Sequence, residues 1–140
     1  MVGKIPSCFF SGFMTKTSKQ EKGMWGEEKA ASFLKQKGYK IVERNFKIHK
    51  VGEVDIIAFT DKHYFGRTLC FVEVKTRGRD DGSAQRSVGK SKLQKMFAAG
   101  KIYCFDNNID IDRTPIQFEQ VSVYGSEERP IIRHYELPVD

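Results

Sequence analysis

The sequence predicts an α/β fold, a three-layer sandwich in which helices flank a mixed central sheet of about five strands. Two helical segments are separated by three strand-like runs, and two further strand-like runs follow the second helix, with no internal repeat. A length of 140 residues suits one domain. We expect this domain over residues 23–140, after a poorly ordered leader of residues 1–22.

The first predicted helix is WGEEKAASFLKQKG, residues 25–38, which consists of good helix formers and ends at a glycine. Glu27 precedes Ala31 by four positions and therefore shares its inward face, whereas Glu28 faces solvent. The residues predicted to pack on the sheet are Ala30, Ala31 and Leu34.

Three strand-like runs follow, YKIVERNFKI, GEVDIIAFT and TLCFVEVKT. Their short connections, HKVG and DKHYFGR, predict hairpins. The segment KSKLQKMFAAGKIYCF predicts a second helix, and QFEQVSVYG and IIRHYEL predict the last two strands. The buried stripe of the second helix is predicted as Leu93, Met96, Phe97, Gly100, Tyr103 and Cys104.

Composition narrows the class of protein. A net charge of +6 and a pI near 9.2 favour polyanionic partners such as nucleic acid, although other basic proteins share these values. The cysteines Cys8, Cys70 and Cys104 form no CxxC or Cys/His motif, so neither a disulfide framework nor a zinc site is expected. This cysteine usage indicates a reducing cytoplasm. No apolar run reaches the roughly 18 residues of a membrane span.

Charged residues on two neighbouring strands form the candidate site. In FVEVKT, Glu73 and Lys75 share one face of the strand. If the strands pair as a hairpin, Asp55 lies beside them, and Glu27 approaches from the first helix. The strand GEVDIIAF is predicted to place Glu53, Asp55 and Ile57 on one face, with Val54, Ile56 and Ala58 on the other.

Carboxylates that are buried together repel each other unless a cation neutralises them. Mg²⁺ prefers oxygen ligands and shares the phosphate of its substrate, and a bound ion activates water. A lysine beside it can position that water. The sequence therefore predicts an Mg²⁺ site, with Mn²⁺ as the second choice, whose catalytic residues are Asp55, Glu73 and Lys75.

Each of these features also has a simpler interpretation. An ExK pair on a strand is commonly a solvated ion pair worth under about 1 kcal/mol. Glu53 is either a further carboxylate of the site or a charge at the strand entrance. The predicted nucleic-acid-binding residues are Arg77, Arg79, Lys90 and Lys92, around the segment GRDDGSAQRS, where the alternative is a solvated basic face.

The motifs GEEKAASFLKQKGYKIVERNFKI, GEVDIIA and FVEVKTR resemble the YraN family of bacterial proteins. Their pattern is similar to that of archaeal Holliday junction resolvases and other PD-(D/E)xK nucleases, over roughly residues 23–125. The resemblance implies a restriction-endonuclease-like fold, and it places Lys92 where the family carries a lysine in the second helix. The metal ligands that it implies are Glu27, Asp55 and Glu73, with Lys75 beside them.

The chain departs from the family pattern in its late strand. The family's Arg-Phe-Asp triplet is replaced by Gln117, Phe118 and Glu119, which removes a positive charge at Gln117. The functional expectation is a metal-dependent endonuclease that acts on nucleic acid, with DNA and branched structures as the expected substrates. By analogy with resolvases, we expect a homodimer. The alternatives are a non-catalytic nucleic-acid-binding module and a scaffold protein whose acidic cluster is an ion-pair network.

Overall fold

The computed structural model describes residues 18–77 and 88–138 of the chain. Its elements follow the predicted order of helix, three strands, helix and two strands. No helix within the described ranges combines the length and the apolar character that crossing a membrane requires. The elements are α1 (Ser18–Gln36), β1 (Lys40–Ile48), β2 (Gly52–Lys62), β3 (Gly66–Arg77), α2 (Lys90–Asp106), β4 (Ile116–Gly125) and β5 (Pro130–Leu137).

The five strands form one mixed sheet in the order β1-β2-β3-β4-β5. Strands β3 and β4 are parallel, with Leu69 opposite Ile116, and all other neighbours are antiparallel. Parallel neighbours need a crossover connection, which α2 supplies over one face of the sheet. The predicted mixed sheet of five strands is therefore confirmed.

The two helices cover opposite faces of the sheet and form the outer layers of the sandwich. From α1, Ala30, Ala31 and Leu34 pack on a buried cluster that includes Ile56, Ala58, Cys70 and Val72. From α2, Met96, Ala99 and Tyr103 pack on a second cluster that includes Ile57, Leu69 and Phe71. Burial of a large apolar side chain contributes about 1.5–3 kcal/mol, so each helix is held mainly by this packing.

Helix α1 begins at Ser18, seven residues before the predicted start at Trp25. Residues 18–22, which belong to the predicted leader, are therefore helical, and residues 1–17 lie outside the described residues. Tertiary contacts explain the longer helix, because Lys22 Nζ donates a hydrogen bond to the Gly125 carbonyl oxygen at 2.9 Å. Such contacts offset the cost of Gly23 inside a helix, which is about 1 kcal/mol.

The predicted buried stripe of α2 is wrong at Phe97. Its side chain is 42% exposed, and its ring contacts that of Phe118 at a centroid distance of 5.8 Å. Phe97 follows the buried Met96 directly, so the turn of the helix carries it to the edge of the contact with the sheet.

Two glycines determine how closely the helices approach the strands. At Gly26 in α1, a Cβ atom would lie 2.9 Å from Thr76 Cβ in β3. At Gly52, where β2 begins, a Cβ atom would lie 2.5 Å from the Lys95 carbonyl oxygen in α2. Both helices therefore contact the sheet beside the residues of the candidate site.

Candidate active site

Asp55 and Glu73 lie together at the point where β2 and β3 separate. The pairing of these strands begins, along β2, with Ile56 opposite Val72. Asp55 directly precedes Ile56 in β2 and is no longer paired with β3. Asp55 Oδ2 accepts a hydrogen bond from the Val74 backbone N–H at 2.8 Å. The Asp55 carboxylate thus satisfies a β3 donor beyond the last residue pair, which holds it beside Glu73.

The predicted alternation of β2 is wrong at Val54, which was expected on the same face as Ile56. Val54 instead packs in the cluster under α2 together with Ile57, whereas Ile56 packs under α1. The alternation is interrupted at Asp55, where β2 leaves β3 and its backbone is no longer constrained by that partner. The alternation is therefore interrupted at Asp55, which is also a candidate metal ligand.

Glu73 is a buried acid, with a residue exposure of 6%. Burial, followed by the charge of Asp55, raises the pKa of Glu73 to about 7, although Lys92 and Lys75 act in the opposite direction. Its Oε1 atom is buried and accepts no hydrogen bond from the described residues. A buried carboxylate oxygen without a donor is unusual and is favourable only if a cation or water completes it.

Two lysines flank Glu73 without forming close hydrogen bonds to it. Lys75 Nζ lies 4.0 Å from Glu73 Oε2, and Lys92 Nζ lies 3.7 Å from Glu73 Oε1. Both lysine side chains are partly exposed, at 28% and 34%. They can therefore reach an anionic group that approaches the carboxylates from solvent.

The pKa of Asp55 is also raised. Burial is the main cause, and the nearby charge of Glu53 adds to it. The hydrogen bond from Val74 N–H and the charge of Lys92 lower the pKa but do not cancel the effect of burial. Two neighbouring acids with raised pKa values indicate a site at which negative charge is held at a cost in stability.

Glu27 is an electrostatic neighbour of this pair. Burial and the charge of Asp55 raise the pKa of Glu27, whereas Arg44 and a hydrogen bond with Asn45 lower it. Arg44 also forms a 3.1 Å ion pair with Glu28. Within residues 18–77 and 88–138, no three His, Cys, Asp or Glu side chains are grouped closely enough to hold a metal ion. The structure thus brings Asp55 and Glu73 together and leaves Glu27 beside them.

The predicted nucleic-acid-binding residues are only partly gathered at this site. Lys92 contacts Glu73, and Lys90 is exposed at the first residue of α2. Arg77 is exposed at the end of β3, where its Nη1 donates to the Thr76 carbonyl oxygen. Arg79 lies outside the described residues. Glu53 is half-exposed, and its Oε1 atom lies 3.9 Å from Lys47 Nζ.

Sequence reasoning missed a buried polar cluster around Glu119. This fully buried carboxylate accepts hydrogen bonds from Lys62 Nζ at 2.6 Å and Tyr39 Oη at 3.0 Å, and its Oε1 lies 2.8 Å from His134 Nε2. Burial favours a higher pKa for Glu119, but the hydrogen bonds with His134 and Lys62 outweigh it and lower the pKa. Glu119 stands where the family pattern has an aspartate, and its buried carboxylate connects β4 to Tyr39, Lys62 and His134. Gln117 Nε2 donates a hydrogen bond to the neighbouring Phe118 carbonyl oxygen.

Sequence reasoning also missed an open groove beside the carboxylates, between the β1–β2 turn and the start of α2. The sequence predicts the turn HKVG only as the connection between two strands. The lysines in and beside this turn, Lys47 and Lys50, were the sequence signal for a basic groove. Their position opposite Lys92 and Lys95 of α2 depends on the tertiary fold.

Comparison with known proteins identifies the family. Residues 26–123 match the model of the uncharacterised protein family UPF0102. The chain belongs to this family. The assignment confirms the resemblance to the YraN family. A UPF0102 protein of Clostridioides difficile is 38% identical over 111 residues, which cover 79% of this chain and 90% of the relative. A UPF0102 protein of Cytophaga hutchinsonii is 38% identical over 112 residues, with the same coverage of both chains.

A third UPF0102 relative, from Chlorobium limicola, is 45% identical over 82 residues, or 58% of this chain and 59% of its own length. The UPF0102 family match runs from Gly26 to Val123 and therefore includes Glu27, Asp55, Glu73 and Lys92. The candidate site thus lies within the part of the chain that defines the family.

Proposed function

We propose that this UPF0102 protein is a metal-dependent nuclease that hydrolyses phosphodiester bonds in nucleic acid, with DNA and branched DNA as the expected substrates. The observation that supports this proposal is the pair formed by the partly buried Asp55 and the buried Glu73. Their pKa values are raised although two lysines lie within 4.0 Å of Glu73, and Glu73 Oε1 accepts no hydrogen bond from the described residues, so additional positive charge at this site would be stabilising.

The residues present fit a divalent cation of the Mg²⁺ type. Carboxylate oxygens are its preferred ligands, and Glu73 Oε1 is an oxygen free to become one. Asp55 and Glu73 would hold the ion, and Glu27 would complete the set, either directly or through water. When bound, such an ion neutralises charge on a phosphodiester and makes water a better nucleophile.

The remaining chemistry belongs to the side chains around the pair. Lys75, on the same face of β3 as Glu73, would hold the attacking water and stabilise charge that develops on the phosphate. Lys92, from α2, would bind a non-bridging phosphate oxygen and so orient the bond to be cut. Val74 N–H keeps Asp55 in place through the 2.8 Å hydrogen bond, so this carboxylate is oriented before substrate arrives.

The test is cleavage of labelled single-stranded, duplex and four-way-junction DNA, with matching RNA, during Mg²⁺ or Mn²⁺ titration. Asp55→Asn and Glu73→Gln should reduce cleavage at least about 100-fold while the melting temperature shows that both variants are folded. Glu43→Gln, an exposed glutamate on the neighbouring strand, is the matched control. Wild-type protein that cuts none of these substrates with either metal would refute the proposal.

A non-catalytic nucleic-acid-binding module is the second candidate. It is favoured by one observation, which is that no three candidate ligands are grouped in the described part of the chain. In such a module, Lys75 and Lys92 would contact phosphates without any hydrolysis. Metal-independent, salt-sensitive binding without cleavage would support it. The third possibility, a scaffold protein, would show no salt-sensitive binding to DNA or RNA.

Two further parts of the proposal concern where the protein is located and how many copies assemble. We propose a cytoplasmic protein, since the described cysteines Cys70 and Cys104 are both free thiols. We also propose a homodimer, because cutting both strands of a junction requires two active sites. Apolar side chains that are open to solvent and available for such contact include Phe97, Phe105 and Ile111. Light scattering of the purified protein tests the assembly.

A further inference from the structure

An open groove of about 660 Å³ is lined in part by Lys92, the lysine of α2 that flanks Glu73 of the carboxylate pair. One wall is the turn between β1 and β2, and the other is the first part of α2. The groove, called the lysine groove below, is lined by Lys47, Ile48, His49, Lys50, Val51, Gly52, Glu53, Lys92 and Lys95.

The lysine groove is strongly basic. Four of its nine lining residues are lysines and one is a glutamate, which gives a net charge of +3 with histidine neutral. Lys47 Nζ lies 3.9 Å from Glu53 Oε1, and the Lys47 side chain is 70% exposed. The positive charge is therefore available to an anion that enters the groove.

The fold holds the two walls at a fixed separation. A Cβ atom at Gly52 would lie 2.5 Å from the Lys95 carbonyl oxygen, so the turn and α2 are in direct backbone contact. In the turn, Lys50 adopts a φ of 62°, a left-handed conformation that glycine or asparagine would adopt more readily. The turn thus places a lysine at a position where local backbone preference favours other residues.

The lysine groove leads directly to the candidate site. Lys92 lines the groove, and its Nζ atom lies 3.7 Å from Glu73 Oε1. An anionic chain that lies in the groove and contacts Lys92 would continue towards the carboxylates. A compact anion would occupy one part of this open groove, whereas lysines on both walls suit a linear polyanion.

We infer that the lysine groove binds the phosphodiester backbone of a nucleic acid strand next to the phosphate that is cleaved. Lys47 and Lys50 contact the phosphates from the turn, and Lys95 contacts them from α2. The contacts are to phosphate and carry no base preference. This inference rests on the proposed function for the position of the scissile phosphate, but the binding itself requires no catalysis.

The test compares two triple variants of equal net charge. Lys47→Ala/Lys50→Asn/Lys95→Ala removes the groove lysines, and asparagine is chosen because it tolerates a positive φ. The control removes three exposed lysines elsewhere, Lys35→Ala/Lys40→Ala/Lys101→Ala. Binding of labelled DNA and RNA strands is measured by fluorescence anisotropy in a chelator, so that no metal-dependent cleavage interferes.

The groove variant should lose affinity, and the slope of log K against log salt should become shallower by about 0.7–0.9 for each phosphate contact removed, or about 2 to 3 in total. The control triple variant should change the slope by less than about 1. Gly52→Ala, which forces the turn away from α2, should also weaken binding while all lysines remain. Circular dichroism and the melting temperature identify variants that fail to fold. If the groove triple variant does not fold, the binding affinity and salt slope of Lys95→Ala are compared with those of Lys101→Ala, since both lysines are exposed on the same helix.

The outcomes separate the groove from the nuclease. Equal loss of binding in the groove and control variants would overturn the inference even if wild-type protein cleaves DNA. Selective loss in the groove variant supports the inference even if wild-type protein cleaves nothing, in which case only the proposed nuclease function fails. No binding of wild-type protein to DNA or RNA at low salt overturns the inference. The DNA and RNA arms show which nucleic acid the groove prefers.

Discussion

Replacement of Glu73 by glutamine should make the protein more stable at neutral pH while it removes metal-dependent activity. Burial, followed by the charge of Asp55, raises the pKa of Glu73 from 4.5 to about 7. At about 1.4 kcal/mol for each pKa unit, this rise corresponds to about 3 kcal/mol. The free energy of unfolding falls by this amount as the pH rises from 4.5 to about 7, because the unfolded chain ionises while buried Glu73 keeps its proton. Glutamine has the same shape and no charge, so Glu73→Gln should recover about 2–3 kcal/mol.

The raised pKa of Glu73 determines how the free energy of unfolding changes with pH. Below pH 4.5, Glu73 is protonated in both the folded and the unfolded chain, so its burial carries no ionisation penalty. Between pH 4.5 and about 7, the unfolded chain releases the proton and the folded chain keeps it, which favours unfolding. The advantage of Glu73→Gln over wild type should therefore be smallest near pH 4.5, grow up to about pH 7 and stay constant above it.

Urea unfolding across this pH range, in the presence of a chelator, measures the difference directly. Saturating Mg²⁺ should stabilise wild-type protein above pH 7 and leave Glu73→Gln unchanged, because only the ionised carboxylate binds the ion. Glu43→Gln is the exposed control and should show no such trend. A Glu73→Gln variant that is less stable than wild type at about pH 8, or whose advantage does not vary with pH, would refute the reasoning.

Two further predictions concern the fold around the site. Gly26→Ala should destabilise the protein by about 1–3 kcal/mol, because the new Cβ atom meets Thr76 Cβ at 2.9 Å, whereas Gly23→Ala, with nothing within 4 Å, should stabilise α1 by up to about 1 kcal/mol. Urea unfolding of both variants checks this pair, and effects of the same sign would contradict the packing argument. Glu119→Ala should cost about 3 kcal/mol or more, because it leaves Lys62 and His134 without their buried partner. Cleavage by the folded Glu119→Ala variant should stay at the wild-type rate, and loss of cleavage below its melting temperature would show that this cluster is coupled to the site.

Periodicity in the sequence predicted the helices, the strands and the approach of Asp55 to Glu73, because these features depend on neighbours along one element or one hairpin. The position of Val54 could not be predicted in this way. It depends on where β2 separates from β3, at Asp55, and this point is set by the pairing of the strands in the folded sheet.

The Glu119 cluster shows a second limit of sequence reasoning. Glu119 lies in β4, and its partners come from the α1–β1 junction, from β2 and from β5, so no spacing along the chain relates them. The early start of α1 at Ser18 is similar, since Lys22 finds its partner, Gly125, 103 residues away. Contacts of this kind become visible only when the sheet order is known.

The sheet register also has a consequence for the order of folding. Asp55 and Glu73 meet in a local hairpin, whereas the parallel partners Leu69 and Ile116 are 47 residues apart in sequence. Closing the shorter loop costs less chain entropy, so we expect the hairpin to form while it is still hydrated and water screens the two acids. Their dehydration then comes late, when β4 and α2 pack. An ionised Glu73 should therefore accelerate unfolding far more than it slows folding, and the acids shorten the lifetime of each folded molecule rather than hinder its formation.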